Sequence, residues 1–166
     1  ILGIDVKENN EFDGFLSNDS KAAFAIKTAD CIPLLLWDEK KKSMSGLHCG
    51  WKAIKNNIIS KAIEGNPSKA FTHAYIGPHI SKEHFEVKDD FIEAFSENNK
   101  DITTFLENFE GRTYMNLRQY VVHELHQYGI EVINNFSPCS YLEKDHFFSW
   151  RRDNANPFRN LTIAWF

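Results

Sequence analysis

Cysteine is scarce in this chain, with three among 166 residues, an odd number that cannot be fully paired. Small secreted domains staple themselves with many paired cysteines, so the count excludes a disulfide framework and fits a reducing, cytoplasmic setting. Basic residues are in the minority, 19 Lys and Arg against 23 Asp and Glu, for a formal net charge of −4. Phosphate-backbone affinity comes from clustered cations, so nucleic acid is not an expected partner. No apolar run approaches the roughly 20 residues of a membrane span, and no basic-then-apolar leader opens the sequence, so no membrane partner is expected either. Repeats, low-complexity tracts and Pro-, Gly- or Ser-rich linkers are also missing, which leaves one domain over residues 1–166. The first residue is Ile1, not Met, so the chain is expected to start inside a longer gene product that supplies further N-terminal residues.

Apolar side chains make up 42% of the chain, enough for a core of ordinary size. Two stretches organise the rest: Thr28-Ala29-Asp30-Cys31-Ile32-Pro33-Leu34-Leu35-Leu36-Trp37-Asp38, and Gly46-Leu47-His48-Cys49-Gly50-Trp51-Lys52. Each reads as a buried strand with a reactive side chain at one end, which would set Cys31 beside His48 at the edge of one sheet. Ile32 to Trp37 is continuously apolar, as in a strand covered on both faces. The mixed-sign run Asp38 to Lys42 is a solvated hairpin loop, and Ser43 to His48 returns beside it. From Trp51 the period becomes helical through Ile54, Ile58, Ile59, Ala62 and Ile63, until Gly65-Asn66-Pro67 stops it.

Further strands are expected at Ile1–Val6, Ala22–Lys27, Ala70–Ile76, Ile130–Phe136, Phe147–Trp150 and Arg159–Phe166, with Asn9, Asn10, Asp13 and Gly14 as turn residues. Lys88–Asn98 and Met115–Tyr128 have one apolar face each and predict helices, whereas Asp101–Arg112 is ambiguous. His123 and His126 lie three apart on the second helix. Helical zinc pairs are typically four apart with a Glu beside the first His, so a surface helix is the simpler reading.

Taken together and in order, Thr28-Ala29-Asp30-Cys31-Ile32-Pro33, His48-Cys49-Gly50-Trp51, Ile76-Gly77-Pro78-His79-Ile80-Ser81, Phe85-Glu86-Val87 and Phe147-Phe148-Ser149-Trp150-Arg151-Arg152 resemble the signature blocks of the laccase-domain family. The resemblance spans about Phe12 to Phe166. That family, labelled multicopper polyphenol oxidase, is also read as purine nucleoside phosphorylase with adenosine deaminase activity. The resemblance implies an α/β fold, a layered α–β sandwich of mixed sheets with outer helices, similar to cytotoxic-necrotizing-factor-like cysteine hydrolases. It implies a metal, zinc or alternatively copper, held by one Cys and two His. Cys31 and His48, seventeen positions apart, match two of these ligands, and the third belongs to a Q-x-H block upstream of Ile1. The family's usual H-A-G-W-R-G is altered here to Cys49, Lys52 and Ala53, and Lys52 lacks the bidentate fork of an Arg.

Thiolate and imidazole are a zinc-type donor set, and three protein ligands with an open position mark a catalytic site. Water activated there would attack C6 of adenine in deamination. Phosphorolysis of adenosine or inosine needs cations to hold phosphate against C1′ of the ribose. Arg151 and Arg152 are the first candidates for that work, followed by Lys52 and Arg159. Asp30 is placed to orient a ligand or take a proton, His79 and Ser81 border the pocket, and Cys139 is structural. Three rival functions are weighed, one of them a non-catalytic binding protein, for which Cys31→Ala would leave ligand affinity intact. Cys31 as nucleophile and His48 as base would make a metal-independent Cys-His hydrolase. A polyphenol oxidase of the four-copper kind would need His-x-His pairs, and none of the seven histidines forms one.

Overall fold

The computed structural model describes residues 2–6, 12–19, 21–38, 40, 43–67, 71–98, 100–154 and 156–165, with the side chains of 2–6 left out. In chain order it runs β1 (Leu2–Val6), β2 (Phe12–Ser17), β3 (Ala23–Thr28), β4 (Ile32–Asp38), β5 (Ser43–Cys49), α1 (Trp51–Lys55), α2 (Ile58–Gly65), β6 (His73–Ile76) and β7 (Glu86–Val87). Then follow α3 (Asp89–Ser96), β8 (Leu106–Phe109), β9 (Arg112–Met115), α4 (Leu117–Gln127), β10 (Glu131–Val132), α5 (Trp150–Asp153) and β11 (Asn160–Trp165).

The fold is mixed α/β. A six-stranded sheet has the order β1-β2-β5-β4-β6-β10, with β7-β9-β8 and β11-β3 as two smaller sheets. All pairs are antiparallel except β6 with β10. At the centre lies β4, whose Ile32, Leu34 and Leu36 are wholly buried on the face covered by helices. Leu47 and Cys49 of β5 point the same way and meet Ile54, Ile58, Ile59 and Ala62. Each large apolar side chain sealed there contributes about 1.5–3 kcal/mol. Successive side chains in a strand point to opposite faces, so Gly46 and His48 turn toward the other side of the sheet. There β3 packs, with Phe24 stacked on Phe15 of β2 at 4.1 Å.

Several expected elements change on folding. The helix that starts at Trp51 is broken at Asn57, which adopts the left-handed conformation (φ 63°) that Asn tolerates better than most residues. The ambiguous stretch becomes a 3₁₀ turn, Thr103–Phe105, followed by the β8–β9 hairpin. The strand expected at Phe147–Trp150 does not form. Ser149 instead caps α5, its hydroxyl accepting the Arg152 N–H at 3.2 Å. The strand expected at Ile130–Phe136 shortens to Glu131–Val132, because the side-chain amide of Asn134 takes over from the ladder and brackets the N–H and C=O of Ile76. Of the expected strand starts, Ile1 and Ala70 lie outside the described residues.

Candidate active site

The site begins with strand register. Pro33 of β4 lies opposite His48 of β5, and Cys31 sits two residues before Pro33, so both side chains fall on the same sheet face. Asp30 makes the corner that leads into β4, with φ 83°. Gly50, just past β5, leaves the space in which the two reactive groups meet. A Cβ placed on it would lie 3.2 Å from Cys31 Sγ and 3.8 Å from His48 Nε2. The other ring nitrogen of His48, Nδ1, is 3.7 Å from Asp13 Oδ1.

Cys31 and His48 open into a cleft of about 530 Å³ walled also by Lys27, Asp30, Trp51, Ile80, Phe85, Trp150, Arg151 and Arg159. Its rim is aromatic and cationic. The Arg151 guanidinium lies 5.7 Å from the centre of the Phe85 ring and donates to Glu86 O, and the Arg159 guanidinium lies 5.2 Å from that of Trp150. A cleft of this size, with flat rings and a few convergent polar groups, suits a small planar ligand carrying an anionic group.

The remaining candidates separate by location. Asp30 is 9% exposed, and its carboxylate accepts three hydrogen bonds, from Ser140 Oγ (2.7 Å), Ser149 Oγ (3.0 Å) and the Arg151 N–H (2.7 Å). It thereby fastens the C-terminal segment beside Cys31. The guanidinium of Arg152 binds Asp153 and the carbonyls of Ser140, Tyr141 and Phe147, so it braces the loop behind the cleft and does not line it. Lys52 stands outside the lining, its ammonium 5.6 Å from the centre of the Trp51 ring. His79 is buried, and its Nδ1–H donates to Gly77 O at 2.8 Å; burial lowers the imidazole pKa. Ser81 Oγ is within 3.3 Å of His84 Nδ1, and Cys139 Sγ accepts the Ser81 N–H at 3.3 Å. Cys49 faces the core, where desolvation raises its thiol pKa well above the ordinary range. His123 pairs with Gln127 on α4.

Two residues near His48, Lys27 of the cleft and Asp13 of an adjoining cavity, had no signal of their own in the sequence. Lys27 looks like any solvent position of an alternating strand, and Asp13 like a turn residue. Only the packing of β3 on β5, and the pairing of β2 with β5, bring them to His48.

The description "Multi-copper polyphenol oxidoreductase laccase" fits the family model that matches residues 1–166. The chain belongs to this laccase family. Among its relatives, the Haemophilus influenzae protein named purine nucleoside phosphorylase is 28% identical over 165 residues, covering 96% of this chain and 66% of that protein. The Escherichia coli purine nucleoside phosphorylase YfiH is 30% identical over 158 residues, covering 92% and 63%. A Neisseria meningitidis protein of known crystal structure superposes with a TM-score of 0.81 at 30% identity, covering 93% of this chain and 64% of its own. The Bacillus licheniformis hypothetical protein YfiH gives 0.78 at 25%, covering 92% and 60%. This laccase-family chain thus spans between about three-fifths and two-thirds of the length of those relatives.

The family name implies a metal, and the donor chemistry fits in part. Cys31 and His48 offer a sulfur and an imidazole nitrogen at one spot, while among the described residues no group of three or more His, Cys, Asp or Glu is arranged to hold an ion. No helix among them is long and apolar enough to cross a membrane.

Proposed function

We propose that the protein is a purine nucleoside enzyme that cleaves adenosine or inosine with phosphate to free base and ribose 1-phosphate, and that it also deaminates adenosine. The convergence of Cys31 and His48 at Gly50, on the wall of a cleft rimmed by aromatic rings and guanidinium groups, carries this reading. The purine would stack against the rings of Trp51, Phe85 or Trp150, whose flat faces accept any base without reading its edges. Phosphate would be held by Arg151 and Arg159, with Lys27 adding a third cation. Arg152 and Asp30 would act by positioning, since their polar groups are already engaged in fixing the segment that carries Arg151.

Cys31 and His48 would hold zinc, with copper as the alternative, and the resemblance assigns the third ligand to a Q-x-H block this sequence does not contain. When bound, such an ion supplies a Lewis acid that lowers the pKa of water. The protein's own contribution is to fix the two donors, exclude bulk water and hold the anionic co-substrate.

A metal-independent Cys-His hydrolase is the second reading, favoured by the row of carboxylate, imidazole and thiol formed by Asp13, His48 and Cys31. Incubation with adenosine or inosine, with and without phosphate, decides between them when bound metal is measured alongside. We expect purine base only with phosphate, inosine from adenosine, and loss of both after chelation or in Cys31→Ala. No base or inosine at any metal load overturns the nucleoside reading, and activity that survives chelation favours the hydrolase.

A further inference from the structure

Asp13 lies on the far side of His48, and its effect on the ring is the same under either reading. Three adjacent strands, β2, β5 and β4, set a carboxylate, an imidazole and a thiol side by side. The β2–β5 ladder pairs Gly14 with Leu47, and one step further Asp13 faces His48. On the opposite edge of β5, the β4 ladder pairs Pro33 with His48, and Cys31 precedes it on the same face. The two nitrogens of the ring therefore look in opposite directions: Nδ1 to Asp13 Oδ1 at 3.7 Å, and Nε2 to the space beside Gly50 where Cys31 Sγ lies. The Asp13 side chain is 12% exposed, against 37% for His48. It lines a second cavity of about 280 Å³ with Phe12, Phe15, Lys27 and His48, so the imidazole forms the wall between two clefts.

We propose that Asp13 is the positioning residue for His48. Its carboxylate draws the ring proton to Nδ1 and thereby leaves the Nε2 lone pair directed at the Cys31 side. A carboxylate placed beyond a functional imidazole selects the tautomer and fixes the plane of the ring, whether the far nitrogen ligates a metal or takes a proton from a thiol. The carboxylate stands 3.7 Å from Nδ1, close to hydrogen-bonding distance, and the contact would shorten when a ligand engages Nε2. The inference rests on the reading that Cys31 and His48 form the reactive pair, and it predicts a property of the protein that exists without turnover.

Long-range ¹H–¹⁵N correlation of the imidazole signals tests it, on protein as purified and after dialysis against a chelator, with the amide fingerprint as the check on folding. The expected wild-type spectrum after chelation shows a pyrrole-like Nδ1 and a pyridine-like Nε2 for His48. In Asp13→Ala the proton should move in large part to Nε2, and kcat should fall by about 10- to 100-fold with KM little changed. A wild-type ring protonated at Nε2 overturns the proposal without any variant. So does an Asp13→Ala protein that keeps its amide fingerprint and the wild-type tautomer. A fixed tautomer in a protein that releases no purine base would instead sink the nucleoside reading alone.

Discussion

His79 shows how a residue in a motif block can be structural and still titrate usefully. Burial holds its imidazole below the ordinary value of 6.5, while the Gly77 carbonyl fixes its Nδ1–H. The unfolded chain therefore takes up a proton there as pH falls below about 6.5, whereas the folded chain takes it up only at lower pH. The contribution of His79 is fully present above that pH and is lost toward acid, by at most about 1.4 kcal/mol per pH unit for one proton. Urea denaturation between pH 7 and 5 should show this slope, and His79→Gln should flatten it. At this scale the sequence was partly legible. Cys31 and His48 stood out because both end apolar strands in matching blocks, and the structure brings them together at Gly50. Asp13 did not stand out, because an Asp followed by Gly is the usual chemistry of a turn. Arg151 and Arg152 were equivalent in sequence, and only the four acceptors around Arg152 separate bracing from lining.

Elements were legible where a long apolar period had no competitor. The central strands β4 and β5 and the helix α4 follow their patterns closely. The strand expected at Phe147–Trp150 failed because Ser149 and Asp153 offer local caps that outcompete sheet pairing for so short a run. The break inside the first helical stretch also has a local cause, since the Asn56-Asn57 pair interrupts it and its second Asn takes the left-handed conformation. Sheet packing makes a sharper demand at Gly46. A Cβ there would lie 2.3 Å from Phe15 Cζ, so the ring lies over β5 only because the side chain is missing. Gly46→Ala should push Phe15 off its stack with Phe24 and destabilise the protein by about 1–3 kcal/mol, measured by thermal or urea unfolding. Since Phe15 and Asp13 share a strand face, the same change should also disturb His48.

At the scale of the whole molecule, the cleft is assembled from parts far apart in sequence: β3, the start of β4, the end of β5, and the segment from Trp150 to Arg159. Periodicity reports local structure and says nothing of which strand lies beside which, so the order β1-β2-β5-β4-β6-β10 could not be read from it. The ordered motif blocks did indicate that distant segments act together, and their residues do border one cavity. What joins them is Asp30, more than a hundred positions away from Ser140, Ser149 and Arg151, its three donors. The Arg151 amide is therefore tied to a part of the chain remote in sequence although it sits in a helix of one turn. In deuterated solvent it should retain its hydrogen nearly as long as the amides of β4, surviving every local opening and surrendering it only when the entire chain comes apart.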